Sequence, residues 1–286
     1  MPYYIDTIIE KAIQGVKDGL NGGKKLQEPD YTAILATKFP KLINASGIYP
    51  KIKFGGCFIH QSPMVKFDSH HKHKFCELGD LLVLVRKQTK DGDRFNAAIL
   101  QLKMSDKNPA CLKKDGDKKQ LYLYEKWPEF EIVRSKKKYD ILPKAVHQGA
   151  LYCMIDKKTP WIYMAEPMIE MSYANSLGMF LNNMIKWQAG RSISDDSYCA
   201  GTDEWSRLVW DLIRLSLKTV FNRANIGYRD EPRLYDGFFK LILEHPEKDP
   251  MFTRIINEDG YNDNYEEYGS GISILFIDVN EKENYL

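Results

Sequence analysis

Asp80, Gln101 and Lys103 are the residues of this 286-residue chain whose types and spacing best suit chemistry. Gln101 and Lys103 close an apolar run. Side chains two apart on a strand point the same way, so these two share a face and Leu102 goes opposite. Asp80 stands near the start of another apolar run, and pairing of the two runs brings its carboxylate towards that face. A carboxylate and an amide oxygen are hard ligands suited to Mg²⁺. An ammonium beside them can orient or activate a water, or stabilise charge on a phosphate. The three together are a minimal set for hydrolysing a phosphodiester. Glu77, three residues before Asp80, falls on the opposite face of a regular strand. It joins the set only through a bulge at Gly79.

Two strands must position this set. Leu78 to Val85 is a nearly continuous Leu and Val run, the pattern of a strand buried on both faces. Phe95 to Met104 is the second, and Lys90-Asp91-Gly92-Asp93 supplies turn chemistry between them. Before them, Ile8, Ile9, Ala12, Ile13 and Val16 mark one face of a helix over residues 5–20. A second helix is expected from Pro29 towards Phe39, stopped by Pro40. Glu10 and Glu28 lie on or beside these helices. Lys51 to Phe67 reads as a strand or bent hairpin beside the 78–85 strand. It carries His60 as a support behind the site or a substrate contact, while His70, His71 and His73 belong to a solvated loop.

Beyond Lys103, residues 105–119 are basic and turn-rich, with Lys113 and Lys114 as candidate phosphate contacts. Gln120 to Tyr124 is expected on a short helix. Ala150–Ile155 and Trp161–Ala165 read as further strands, joined by a turn. Amphipathic helices are expected over 173–187, from Thr202 or Asp203 to Asn222, and over 235–244. An acidic, aromatic loop over 258–268 then precedes a last strand over 271–279.

Asp80 followed by Gln101-Leu102-Lys103 resembles the PD-(D/E)xK nuclease superfamily, the fold of restriction endonucleases and many repair nucleases. The resemblance covers about residues 45–125. Gly79 stands where the family usually has Pro, and Gln101 where it usually has Glu or Asp. Branches similar to the Mrr-type restriction enzymes use Gln-x-Lys. An amide in place of a carboxylate removes one negative charge and should weaken metal binding. Gln120-Leu121-x-x-Tyr124 resembles a motif of the RecB-like branch. The resemblance implies an α/β fold with a restriction-endonuclease-like mixed central sheet flanked by helices. It implies a nuclease core over 1–165, with a helical C-terminal region and final strand over 166–286 packed on it. It further implies Mg²⁺, with Mn²⁺ as a substitute, held by Asp80 and Gln101. Asp80, Gln101, Lys103 and Glu77 would carry catalysis, with an additional Glu from the helices before the sheet, Glu10 or Glu28. His60, Lys113 and Lys114 would contact substrate, and Gln120 and Tyr124 would contact substrate or brace the site. The substrate would be DNA in preference to RNA, and the setting bacterial defence or restriction, as a homodimer or part of a complex. The alternatives are a catalytically inactive member that binds nucleic acid or scaffolds a complex, and a protein-interaction domain.

Composition is that of a globular protein, with 43% hydrophobic and 28% charged residues. A net charge of +2 excludes a histone-like coat, so nucleic-acid affinity must rest on local patches. The five cysteines form no CxxC pair, which points away from a zinc ribbon or a disulfide framework. No basic-then-apolar leader and no apolar run of about 20 residues is present, so a cytoplasmic, membrane-free location is expected. Walker A, GxGxxG and GxSxG patterns are absent, which removes nucleotide hydrolysis, dinucleotide binding and serine hydrolysis from consideration.

Overall fold

The two apolar runs pair as an antiparallel hairpin in the computed structural model. It describes residues 2–20, 25–60, 62–69, 74–144, 149–159, 161–194, 203–223, 234–244 and 271–282. In chain order the strands are β1 (Ile52–Cys57), β2 (Met64–Lys66), β3 (Phe75–Glu77), β4 (Leu81–Thr89) and β5 (Gly92–Ser105). Then come β6 (Ala110–Cys111), β7 (Phe130–Ile132), β8 (Lys138–Tyr139), β9 (Ala150–Asp156), β10 (Ile162–Ala165) and β11 (Glu170–Met171). The last are β12 (Arg191–Ile193) and β13 (Ser273–Asn280). The hairpin joins Thr89 to Gly92 through Lys90-Asp91, and Gly92 takes a φ of +119° that a side chain would resist.

The central sheet is mixed and runs β1-β13-β4-β5-β9-β10, with β12 pairing the start of β5. β4 pairs β13 in parallel and β5 antiparallel, and β5 pairs β9 in parallel. The expected neighbour relation of the first strand is corrected here. β1 does not touch β4, because the C-terminal strand β13 lies between them. Apolar run length reports burial and not the identity of the neighbour. A smaller sheet, β3-β2-β7-β8, and a β6-β11 ladder complete the strands.

Both sheet faces are covered. Leu81, Val83, Val85, Leu100 and Leu102 pack with α1 (Pro2–Asp18), a π-helical turn over Ile34–Lys38, α3 (Phe39–Ala45) and α5 (Leu177–Ile185). Helix α2 (Glu28–Ala33) leads into the π turn. Leu82, Leu84, Ala97 and Ile99 pack with α4 (Asp115–Lys126), α6 (Glu204–Arg223), α7 (Leu234–Glu244) and the small sheet. Among the described residues, no helix is long and apolar enough to cross a membrane.

Pro40 does not stop the second helix as expected. It sits in the first turn of α3, directly after the π turn, whose wider winding lets the helical path continue past it. That widened turn lies against Gly56 of β1, where an added Cβ would come within 2.3 Å of the Ala36 carbonyl oxygen. Helix α5 starts at Leu177 rather than Tyr173, because Ser176 caps it and Asp6 of α1 accepts from both the Ser176 hydroxyl (2.6 Å) and Gly178 N–H (2.7 Å). Asp203 caps α6 by accepting from Ser206 N–H at 3.1 Å. The 258–268 loop lies outside the described residues.

Candidate active site

Strand register places the set. Leu81 pairs with Leu100, and Asp80 N–H donates to the Leu100 carbonyl at 2.9 Å, so Asp80 lies level with Gln101. Leu82 and Ile99, one pleat further along, belong to the α4-side core, which puts Asp80, Gln101 and Lys103 on that same face. The Asp80 carboxylate accepts three hydrogen bonds: from Gln101 Nε2 (2.6 Å), Leu102 N–H (2.8 Å) and Ser62 Oγ (3.1 Å).

Glu77 arrives by a break between two strands rather than a bulge within one strand. β3 ends at Glu77, residues 78–80 turn, and β4 begins at Leu81. Gly79 makes that turn possible. A Cβ there would sit 2.3 Å from Ile99 Cγ2 and 3.1 Å from the Tyr124 hydroxyl. Gly79→Ala should therefore cost about 1–3 kcal/mol by overpacking and push Asp80 out of line with Gln101. A urea midpoint unchanged from wild type would contradict this contact.

Glu28, not Glu10, is the N-terminal carboxylate at the site. Its Oε1 accepts from Met104 N–H at 2.9 Å, one residue beyond Lys103. Glu10 lies within α1, in the layer packed on α5 and α3. Asp117, in the first turn of α4, pairs with Lys103 Nζ at 3.0 Å. Four carboxyl groups, Glu28, Glu77, Asp80 and Asp117, thus surround one ammonium.

The electrostatics follow from that count. Burial, then the neighbouring Glu77 charge, pushes the Asp80 carboxyl up to about 7. Burial also raises Glu77, aided by Glu28 and Asp117 and opposed by Lys103 and a hydrogen bond from Gln101. For Lys103, burial works to lower the ammonium, but Glu28, Asp117 and Asp80 together outweigh it and hold it above its ordinary value.

Gln120 and Tyr124 occupy bracing positions. Both are buried beneath the site. Gln120 Nε2 donates to the Glu77 carbonyl (2.9 Å) and to the Gln101 side-chain oxygen. Tyr124 donates to the Leu78 carbonyl at 2.7 Å. The Gln101 oxygen is consequently turned into Gln120, and its amide nitrogen faces Asp80. Reversing the Gln101 amide would set its NH₂ against that of Gln120.

Lys113 and Lys114 are exposed immediately before α4. His60 is half-buried, tilted against Phe58, and its charge draws the otherwise burial-raised Asp30 carboxyl downward. His70, His71 and His73 lie outside the described residues. The arginines of the C-terminal half serve packing where their side chains are described. Arg191 stacks over Trp205, Arg207 over Tyr139, and Arg214 pairs with Asp211.

A divalent cation fits the chemistry of these donors, because Glu28, Glu77 and Asp117 beside Asp80 outnumber the single ammonium. Among the described residues no three His, Cys, Asp or Glu side chains are gathered as a ready metal cluster. One or two carboxylates completed by water and phosphate oxygens is the usual way Mg²⁺ is held. Sequence reasoning missed Ser62 and Asp117. The chain matches no family model, no curated protein and no solved structure.

Proposed function

We propose that this chain is a metal-dependent nuclease with a restriction-endonuclease-like core, hydrolysing phosphodiester bonds in DNA. The observation that carries the reading is the gathering of Asp80, Glu77 and Glu28 around Lys103 at one end of a deeply buried sheet. Asp80 and Glu77 would hold Mg²⁺ or Mn²⁺, and the bound ion would supply Lewis-acid activation of a phosphate oxygen and of water. Gln101 fixes the Asp80 carboxylate through its amide N–H. Lys103, kept charged and aimed by Asp117 and Glu28, donates to the attacking water or to the phosphate oxygens as negative charge builds there. No covalent intermediate is required. A cytoplasmic defence or restriction role, with a dimer to cut both strands, accords with one site per chain.

One observation favours a second reading, an inactive nuclease fold that binds nucleic acid as a scaffold. The Gln101 oxygen is committed to Gln120, which leaves the site short of one ligand.

Supercoiled plasmid incubated with purified protein in Mg²⁺, Mn²⁺ or EDTA, beside Lys103→Ala, separates the two. Nicking that requires metal and falls at least about 100-fold in the variant is expected. Plasmid that is bound but uncut by wild type would move the assignment to the scaffold.

A further inference from the structure

The small sheet carries a cationic tip beside the candidate site. Met64 of β2 pairs with Glu77 of β3, and on its other side its carbonyl accepts from Val133 N–H at 2.9 Å. Glu77, Met64 and Val133 therefore form one row, about 10 Å from end to end at the backbone. Cys76, Val65 and Ile132, one residue along, are buried, so the row faces outward. β3 and β7 run the same way, both antiparallel to β2. Where β3 delivers Glu77 to the site, β7 runs on past Val133 into residues 134–137 and returns as β8. The tip of this hairpin stands at the site end of the sheet.

That tip is stiff and charged. Lys136 N–H donates to the Ile132 carbonyl at 2.8 Å, Ile132 N–H to the Lys137 carbonyl at 2.9 Å, and Lys137 N–H to the Ser135 hydroxyl at 3.3 Å. Lys137 and Tyr139 both bond Asp211, at 2.6 and 2.8 Å, which ties β8 to α6. Lys136 holds a φ of +56°, a left-handed conformation that favours glycine or asparagine. A lysine kept there against that preference is a charge retained for use. Arg134 and Lys136 are exposed, and among the described residues no carboxylate pairs with either. Two residues back along the strands, Lys66 and Lys138 are balanced by Glu131 (2.9 Å) and Glu129 (3.9 Å). On the far side of β3, where the Glu77 carbonyl accepts from Gln120, lies α4, preceded by the exposed Lys113 and Lys114. Cations thus stand on two sides of the carboxyl groups.

We infer that the β7–β8 hairpin is a phosphate clamp, with Arg134 and Lys136 seating the backbone of a DNA duplex that lies across the candidate site. The row from Glu77 to Val133 is of the order of a groove width, about 6–12 Å in a duplex. One strand at the carboxyl groups therefore brings the other strand's phosphates to the tip. Cations already balanced by carboxylates release no counterions on binding, whereas Arg134 and Lys136 have their full charge to offer. That the seated duplex is cut rests on the nuclease reading; the clamp does not.

The test is fluorescence anisotropy of the full-length protein with a short labelled DNA duplex in EDTA, at salt from about 50 to 200 mM. Arg134→Ala combined with Lys136→Ala should lower affinity on the order of 10- to 100-fold near 0.1 M salt. It should also flatten the slope of log affinity against log salt by about 1.8, near 0.9 per phosphate contact. Lys136→Gly guards against a folding defect, because glycine takes the left-handed turn freely. It should flatten the slope by about 0.9 with a urea midpoint near that of wild type. Lys66→Ala combined with Lys138→Ala removes as much charge and should leave the slope close to that of wild type. No duplex binding by wild type, tip variants that bind as wild type does, or an equal loss in the Lys66 and Lys138 pair would overturn the clamp. The expected losses at the tip, in a wild type that cuts nothing in metal, would sink the nuclease reading and leave the clamp standing. Metal-dependent cleavage by a protein whose tip variants bind like wild type would do the reverse.

Discussion

Asp80→Asn should make the metal-free protein more stable at pH 8 and, on the nuclease reading, abolish metal-dependent cleavage at the same time. The carboxyl is pushed up to about 7 by burial and by Glu77, against 3.8 for an ordinary aspartate. The folded chain therefore holds a proton that the unfolded chain releases. Stability from this group is fully present below about pH 4 and is lost as pH rises through about 7. Asparagine has no proton to lose. Its oxygen can accept from Gln101 and Leu102 as Asp80 does, while its NH₂ donates to the Ser62 hydroxyl. The variant should gain about 2 kcal/mol over wild type at pH 8, below the roughly 4 kcal/mol that the full shift would represent. Urea midpoints in EDTA at pH 5 and pH 8 read this directly. Parallel pH dependence in the two proteins would show that Asp80 is ionised at little cost. A gain in stability with a loss of activity is the pattern of a charge kept for function.

Phe276→Ala should be the most damaging single substitution in the fold. Phe276 is fully buried in β13 and pairs with Gly55 on one side and Leu84 on the other. Its ring stacks on Phe239 at 4.5 Å and carries the Arg86 guanidinium 5.5 Å from its centroid. Arg86 is itself bonded to Asp278 of the same strand at 2.8 Å. Truncation to alanine leaves a cavity between sheet and helix and should cost about 3–5 kcal/mol, a large share of a domain's usual 5–15 kcal/mol. The check is a lower urea midpoint at unchanged slope. A cost under about 1 kcal/mol would mean that the surrounding core closes over the gap.

The hairpin and the convergence of Asp80 with Gln101 and Lys103 were legible because period-two alternation fixes faces, and the Asp-Gly turn fixes register. Glu28 was legible only as one of two candidates. A carboxylate in a first helical turn is ordinary, and only the close approach of α2 to the end of β5 separates it from Glu10. Asp117 was hidden in a lysine-rich stretch where it read as an interruption of a basic patch. Gly79 read as a departure from a proline pattern, yet the Ile99 and Tyr124 contacts leave no room for any side chain. The bracing by Gln120 was invisible because a glutamine's partners depend on tertiary approach. For β13 the sequence showed a buried strand, but insertion between β1 and β4 depends on long-range pairing that no local pattern encodes.

The order of synthesis gives that insertion a meaning in time. β4 has an open edge from the moment it is made until residues 273–280 emerge to fill it. Leu81, next to Asp80, pairs with Ser273, and the Ser273 hydroxyl bonds both the N–H (3.0 Å) and the carbonyl (3.1 Å) of Ile59. Ile59 leads into the segment whose Ser62 holds Asp80. A growing chain therefore has the β4–β5 hairpin, which sets Asp80 level with Gln101, before it has the strand that holds Ile59 behind Ser62. On the nuclease reading, the reactive side chains come together before the strand that steadies the Ser62 segment has seated.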